Sequence, residues 1–179
     1  IIDNMMNLEM LCYMSKHTGD RSFEKIACTH ANTTIRNHFR KDYSTYHVVS
    51  YDTISGKPHA KNTHQGYADE SAWARGQAWG LYGYTMMYRE TGKKAYLKQA
   101  RAIASFLVNH PNMPKDKVPY WDYNAPDIPN AKRDASAAAI MASALIELSQ
   151  LDPSKDAARW LSFAQLQLRT LTSDAYLAK

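Results

Sequence analysis

One local pattern recurs along the chain and constrains its fold more than any other feature, namely a helix that ends at Thr-Gly and is followed closely by a second helix. The segments HTGDRSFEKIA and ETGKKAYLKQA match in kind at Thr-Gly, at a basic residue, at an aromatic residue and at the final alanine. Apolar residues recur with a helical period before each turn and again after it. The pattern therefore predicts helical hairpins.

A third pair of helical segments, joined at Leu151-Asp152-Pro153 instead of Thr-Gly, predicts a third hairpin and therefore an all-α chain. A length of 179 residues suits one domain with a substantial core, and we predict a single domain over residues 1–179. The hairpins are predicted over about residues 3–40, 70–110 and 134–172. Their first helices begin near three aspartates, about 65 residues apart: Asp3, Asp69 and Asp134. Asp69 and Asp134 are interpreted as N-caps.

Composition excludes several classes of protein. The chain has 45% hydrophobic and 22% charged residues, and no apolar run is long enough to span a membrane. Its 22 basic residues are scattered and the net charge is only +5, which argues against nucleic acid and suits an acidic small ligand. Cys12 and Cys28 lack the spacing of metal ligands. The chain begins at Ile1 without a signal-peptide pattern, so the sequence leaves the compartment open.

Two long connections between the hairpins are predicted to lie at one end of the helices and to line a site, because connections of this length are otherwise uncommon. The first spans residues 41–69, and its segment YHVVSYDTISGKPHAKNTHQG predicts a short β-hairpin. The second, HPNMPKDKVPYWDYNAPDIPNAKRD, holds five of the seven prolines. Its aromatic run YWDY favours a packed connection over the alternative, a disordered surface loop.

The segment HQGYADESAWARGQAWGLYGY, residues 64–84, permits two interpretations. It is apolar on almost every helical face and carries glycines, which is typical of an inner helix that another helix approaches closely. These glycines are Gly76, Gly80 and Gly83. Alternatively, the segment forms one wall of a pocket, since Trp73 and Trp79 offer aromatic faces to a sugar and Arg75 can hold a carboxylate. In the first interpretation, Arg75 is paired with a buried acid.

The chain contains, in this order, the segments IIDNMMNL, YHVVSYD, HQGYADESAWARGQAWGLYGY, VPYWDYNAP and RDASAAAIMASALIEL. In sequence and spacing they resemble the unsaturated glucuronyl hydrolases, glycoside hydrolase family 88, from Ile1 to about Gln150. The related unsaturated rhamnogalacturonyl hydrolases typically have Arg-Gly-Asn-Gly-Trp where this chain has Arg-Gly-Gln-Ala-Trp. The resemblance implies an (α/α)6 toroid, of which the chain supplies about three of the six hairpins.

The resemblance also implies roles for individual residues. Asp3 matches the family's general acid/base. Five further residues match positions around the substrate: His47, Gln65, Trp73, Arg75 and Trp79. The family's second active-site aspartate, with a neighbouring histidine, is expected upstream of Ile1, and the serines that favour sulfated substrates in some members are expected downstream of Lys179. The resemblance implies neither a metal nor a cofactor.

The implied reaction differs from ordinary glycoside hydrolysis, in which two carboxylates act at the anomeric carbon. The implied substrate is an unsaturated uronate-containing oligosaccharide with a C4=C5 double bond, left by a polysaccharide lyase. A carboxylic acid protonates C4, water adds to C5, and the resulting hemiketal opens and releases the rest of the sugar. Asp3 must therefore carry a proton when substrate arrives. Its place at a helix start by itself favours a plain N-cap, and only the resemblance favours the catalytic role.

Other functions stay open at this point. The chain is compatible with an unsaturated rhamnogalacturonyl hydrolase, and it also fits a non-catalytic helical-repeat module that binds acidic sugars or a partner protein. Half a toroid has an open edge, so we expect self-association through this edge. The 179 residues alone are expected to show little or no turnover, because part of the site is expected outside them.

Overall fold

The computed structural model describes residues 1–177, which form six α-helices and one two-stranded antiparallel sheet. The helices are α1 (Asn4–Thr18), α2 (Ser22–His38), α3 (Ala74–Thr91), α4 (Lys94–Asn109), α5 (Ala135–Leu151) and α6 (Ala157–Leu171). The strands are β1 (Val48–Tyr51) and β2 (Pro58–Asn62). The predicted all-α class is confirmed, and the sheet is a small addition between α2 and α3.

Left-handed glycines end the first helices of two hairpins, as the Thr-Gly pattern predicts. Gly19 follows α1 with φ +76°, and Gly92 follows α3 with φ +67°. A glycine has no Cβ to clash in this backbone region, and each N–H closes its helix on a carbonyl, that of Ser15 or Tyr88. The next helix starts within a few residues, so each Thr-Gly pair produces a helical hairpin.

The third helix, α3, packs against α1, α5 and its own hairpin partner α4. Two of its glycines allow α1 and Ile2, which precedes α1, to approach closely. A Cβ at Gly83 would overlap the Cβ of Met5, and a Cβ at Gly76 would lie 3.1 Å from the Cγ2 of Ile2. Gly80 has ordinary van der Waals space, with its nearest neighbour 3.5 Å away. The interpretation of this segment as an inner helix is therefore correct, although only two of the three glycines are needed for the packing.

The first connection carries the predicted β-hairpin. Strands β1 and β2 pair antiparallel, with Val48 opposite Asn62 and an irregularity between Ser50 and Tyr51. The residue before β1, His47, lies beside the start of α1, because the Ile2 N–H donates to the His47 carbonyl at 2.9 Å. This hydrogen bond therefore fixes the position of the first connection relative to the start of α1.

The second connection, residues 110–134, packs against the first rather than lying free at the surface. Asp122 is fully buried, and its Oδ2 accepts hydrogen bonds from the Tyr67 N–H at 2.9 Å and the Ser71 hydroxyl at 2.6 Å. Trp73 and Asp122 also form an isolated antiparallel bridge. The two connections therefore meet where α3 begins.

The predicted start of the second hairpin is wrong. Helix α3 begins at Ala74 with Trp73 in the N-cap position, several residues after the predicted start near Asp69. The residues before Ala74 are held in extended and turn conformations by the second connection, for example by a 3.0 Å hydrogen bond from the Ala72 N–H to Asn124 Oδ1. Tertiary hydrogen bonds therefore replace the first helical turn that the local pattern predicts.

The two predicted N-caps have different outcomes. Asp134 caps α5, because its Oδ1 accepts a hydrogen bond from the Ala137 N–H at 2.8 Å. Asp69 does not cap a helix. Its Oδ1 instead accepts a hydrogen bond from the Thr63 N–H at 2.8 Å, within the first connection. The interpretation is thus confirmed for Asp134 and wrong for Asp69.

Candidate active site

Asp3 lies at the start of α1, and one of its carboxylate oxygens makes no hydrogen bond within residues 1–177. It occupies the N-cap position but makes no side-chain capping bond. Its Oδ2 is buried without a hydrogen-bond partner among the residues that the structure describes. The same atom lies 3.6 Å from Nε2 of His47, and the Asp3 side chain is 17% exposed. The side chain therefore faces the imidazole of His47 instead of the N–H groups of its own helix.

Contacts to Nδ1 hold the imidazole of His47 in one orientation. The His64 N–H donates to His47 Nδ1 at 3.2 Å, and the Thr63 hydroxyl lies 3.3 Å from the same atom. A backbone N–H can only donate, so Nδ1 must be the unprotonated nitrogen. In the neutral ring the proton is then on Nε2, which faces Asp3.

Burial also determines the charge of His47. The side chain is 3% exposed, and burial lowers the pKa of the imidazole below its ordinary value. The carboxylate of Asp3 acts in the opposite direction, and the nearby His64 acts with burial. The contact between His47 and Asp3 at neutral pH is therefore a neutral N–H facing a carboxyl group rather than an ion pair.

Trp73 supports His47 from α3. The two ring centroids are 4.4 Å apart with a tilt of 35°, and Trp73 is only 4% exposed. The indole therefore packs against the imidazole and is covered in this chain, so it does not offer an open face for a sugar ring.

Arg75 stands beside Trp73 at the start of α3. Its guanidinium carbon is 5.3 Å from the centre of the Trp73 ring, and its Nε donates to Asp134 Oδ2 at 3.3 Å. The Asp134 side chain is 7% exposed and the Arg75 side chain 39%. Within residues 1–177, the terminal amino groups of Arg75 make no hydrogen bond. A buried acid thus holds Nε, and the rest of the guanidinium is open to a ligand carboxylate.

Within residues 1–177, Gln65 and Trp79 make no hydrogen bond or ring contact with Asp3, His47, Trp73 or Arg75. Gln65 is exposed in the turn that follows His64. Trp79, one turn after Arg75 on α3, is half-buried and meets the Tyr82 ring edge-on at 5.9 Å. The described residues therefore bring four of the six predicted site residues together: Asp3, His47, Trp73 and Arg75.

Three residues that shape the site do not stand out in the sequence as site residues. Thr63 and His64 contact His47 Nδ1, and Asp122 holds the turn that follows them. The sequence alone favours a structural role for His64, although it lies next to Gln65. Thr63 and Asp122 carry no local signal, because their partners are 16 and 55 residues away along the chain.

Neither a metal-binding cluster nor a membrane-spanning helix is found among residues 1–177. Over residues 1–177, no three His, Cys, Asp or Glu side chains come close enough together to hold a metal ion. In the same part of the chain, none of the helices combines the length and the apolar character that crossing a membrane requires.

No protein-family model matches the chain. The unsaturated glucuronyl hydrolase of Formosa agariphila is 55% identical to it over 179 residues, which are 100% of this chain and 44% of the relative. A crystal structure described as an unsaturated glucuronyl hydrolase specific for heparin is also 55% identical, with a TM-score of 0.97 over 100% of this chain and 48% of that chain.

A third similar protein was solved with a saccharide bound. It is an aspartate-to-asparagine variant of the unsaturated glucuronyl hydrolase of Streptococcus agalactiae, complexed with dGlcA-GalNAc6S. Its sequence is 31% identical, and the TM-score is 0.84 over 97% of this chain and 46% of that chain.

The helical hairpins and the likeness to these structures place the chain in the class of all-α toroid glycoside hydrolases. Within this class, the chain belongs to the unsaturated glucuronyl hydrolase family, as the sequence resemblance predicts. It spans about half the length of the curated relatives that it matches, so it corresponds to one part of their ring.

Proposed function

We propose that the protein carrying this chain releases unsaturated glucuronic acid from lyase-generated oligosaccharides by hydrating their C4=C5 double bond. The observation that carries the proposal is the buried Oδ2 of Asp3, which has no hydrogen-bond partner among residues 1–177 and faces the neutral His47. Buried polar atoms in native folds are almost always paired, and an unpaired carboxylate oxygen is therefore a candidate reacting group. Family membership supports the same reaction.

Asp3 acts first as an acid and then as a base in this proposal. Its proton goes to C4 of the unsaturated uronate, so positive charge develops at C5 and the ring oxygen. The remaining carboxylate takes a proton from water while the water oxygen bonds to C5. The hemiketal at C5 then opens, and the bond to the next sugar breaks. The Nε2–H of His47, 3.6 Å from Asp3 Oδ2, stabilises the carboxylate between the two steps.

Three other residues bind the substrate in this proposal. The open terminal amino groups of Arg75 hold the uronate carboxylate, because a guanidinium matches a carboxylate with two parallel hydrogen bonds. The half-buried Trp79 offers an aromatic face to the sugar, and the exposed carboxamide of Gln65 supplies hydrogen bonds to its hydroxyl groups. Proton transfer and water addition require no cofactor.

Two of the similar structures point to glycosaminoglycan fragments as substrates. The 55% identical structure is described as specific for heparin, and the Streptococcus agalactiae variant is complexed with dGlcA-GalNAc6S. We infer that the protein acts on unsaturated disaccharides from glycosaminoglycans, with heparin-derived disaccharides preferred because that relative shares the higher identity.

The complete natural polypeptide that carries the chain should be mixed with unsaturated disaccharides made by lyases from heparin and from chondroitin. Loss of the ultraviolet absorbance of the conjugated double bond is expected, faster with the heparin product. In heavy water the released product should carry one deuteron at C4. A saturated disaccharide of the same sugars is the control for other glycosidase activity. An unchanged absorbance with every unsaturated disaccharide contradicts the proposed function.

Exposed apolar side chains support a separate proposal about the isolated 179-residue chain. Met10 and Tyr13 on α1 are 64% and 58% exposed, and Ile26 on α2 is 56% exposed. Side chains of this size are expected to be covered in a stable assembly. We infer that the isolated chain self-associates through α1 and α2 and shows little turnover. Light scattering should give a mass above that of one chain, and a monomer at all concentrations contradicts the self-association.

A further inference from the structure

Thr63 makes three contacts that join the turn after β2 to the site. Its hydroxyl oxygen accepts a hydrogen bond from the Gly66 N–H at 2.8 Å and lies 3.3 Å from His47 Nδ1. Its backbone N–H donates to Asp69 Oδ1 at 2.8 Å. Since the Gly66 N–H occupies the hydroxyl as an acceptor, the O–H of Thr63 is free to donate to His47 Nδ1.

The turn around Thr63 is tightly packed. A Cβ at Gly66 would lie 2.7 Å from the Thr63 hydroxyl oxygen and 3.1 Å from Asp122 Oδ2. Asp122 is fully buried and accepts the Tyr67 N–H at 2.9 Å. The hydroxyl therefore sits in a closed space, and a residue larger than glycine at position 66 has to displace it.

His47 depends on this turn for both donors to its Nδ1. One donor is the Thr63 hydroxyl, and the other is the N–H of His64, the next residue along the same turn. Without the hydroxyl, the Gly66 N–H loses its partner and Nδ1 keeps only the His64 N–H, so the turn is held less firmly against the imidazole. The proton of His47 can then move to Nδ1, which leaves Nε2 as an acceptor facing Asp3.

We propose that Thr63 is a positioning residue that keeps His47 in the Nε2–H tautomer, aimed at Asp3. The inference rests on the proposed function for its catalytic consequence, but the tautomer itself does not depend on any activity. Asp3 and His64 are the titratable groups that face His47 from the neighbouring segments. Thr63 touches neither substrate nor reacting atoms in this scheme and acts only through His47.

The first measurement is spectroscopic and uses the complete natural polypeptide, labelled with 15N in its histidines. In the wild type, His47 should show an unprotonated Nδ1 and a protonated Nε2 at neutral pH. In Thr63→Val, which keeps the shape and removes the hydroxyl, both nitrogen signals should shift towards the average of the two tautomers. Gly66→Ala should cause the same shift by displacing the hydroxyl. Thr63→Ser should restore the wild-type signals, and Thr53→Val, in the exposed turn between β1 and β2, should not change them.

The second measurement is kinetic. Thr63→Val should lower kcat about tenfold to a hundredfold with little change in KM, because the donor facing Asp3 is misplaced while substrate contacts remain. Thr63→Ser should recover most of the rate. An unchanged tautomer in Thr63→Val overturns the proposal, and so does a shifted tautomer with an unchanged kcat. If the wild type fails to act on any unsaturated disaccharide, the proposed function fails, while the nitrogen signals still decide whether Thr63 positions His47.

Discussion

Two inner helices, α1 and α5, begin with an aspartate in the same position, yet the two carboxylates have different surroundings. Both carboxylate oxygens of Asp134 accept hydrogen bonds within the fold: Oδ1 from the Ala137 N–H at 2.8 Å, and Oδ2 from the Arg75 Nε at 3.3 Å. Asp3 makes no capping bond, and its buried Oδ2 faces the Nε2 of His47. An aspartate at the same point of the hairpin is therefore a structural cap in α5, whereas in α1 its carboxylate makes no capping hydrogen bond.

The difference teaches that the position in the repeat does not determine the role of the residue. What separates the two aspartates is the side chain that lies next to each of them, His47 beside Asp3 and Arg75 beside Asp134. His47 directly precedes β1 and is joined to the start of α1 by the 2.9 Å hydrogen bond from the Ile2 N–H to its carbonyl. Arg75 is delivered to α5 by the first turn of α3. A neutral imidazole faces the carboxyl group of Asp3, whereas the guanidinium of Arg75, a permanent cation, contacts that of Asp134.

The largest expected effect is on turnover. Asp3→Asn removes the acid and should lower kcat roughly 10²- to 10⁴-fold, measured by loss of ultraviolet absorbance with the unsaturated heparin disaccharide. Asp156→Asn, at the start of the outer helix α6 and away from the site, is the matched control and should keep the wild-type kcat. Equal rates for the wild type and Asp3→Asn contradict the role of Asp3.

The next effect separates the functions of Arg75 and Asp3. Arg75→Gln removes the carboxylate clamp and should raise KM about tenfold to a hundredfold with a smaller change in kcat, because this contact is made both before and in the transition state. Arg75→Lys keeps the charge without the planar fork and should recover only part of the affinity. A loss confined to kcat in Arg75→Gln argues for direct participation in proton transfer instead.

For the free energy of unfolding, substitution of Asp134 should have a larger effect than substitution of Asp3. Asp134→Ala removes a cap and the buried partner of Arg75, and should lower the free energy of unfolding by about 1–2 kcal/mol. Asp3→Ala removes no capping bond and should change it by less than about 0.5 kcal/mol. Chemical denaturation monitored by circular dichroism gives both values. A larger loss in Asp3→Ala than in Asp134→Ala shows that Asp3 is also a structural residue.

The smallest effect is the pH dependence that His47 contributes to the free energy of unfolding. Burial lowers the pKa of His47, so below the ordinary pKa of about 6.5 the unfolded chain binds a proton there that the native chain does not. The contribution of His47 is therefore fully present above that pH and is lost as the pH falls. His47→Gln should make the unfolding free energy less steep between about pH 6.5 and pH 5. The exposed His17→Gln is the control, and an identical slope in wild type and His47→Gln contradicts burial of a neutral ring.

Much of the fold follows from local patterns, and the site follows only in part. The Thr-Gly turns, the β-hairpin and the cap at Asp134 depend on neighbouring residues, so periodicity and turn chemistry predict them. The start of α3 depends on a hydrogen bond between Ala72 and Asn124, 52 residues apart, which no local pattern contains.

The candidate site shows the same division. Family motifs predict Asp3 and His47 as site residues, and the structure places the two side chains 3.6 Å apart. The motifs do not predict a role for Thr63, because that role depends on a turn that folds back onto His47, 16 residues earlier. Pairings of this kind are set by the packing of the two connections, which sequence periodicity does not describe.

A crystal structure of the complete polypeptide carrying Asp3→Asn, in complex with an unsaturated disaccharide, tests the central assignment most directly. We expect the side chain at position 3 to lie about 3–3.5 Å from C4 of the unsaturated uronate, with the uronate carboxylate on the guanidinium of Arg75. A saccharide bound with C4 beyond reach of position 3, or with its carboxylate away from Arg75, contradicts the assignment of Asp3 as the proton donor of this site.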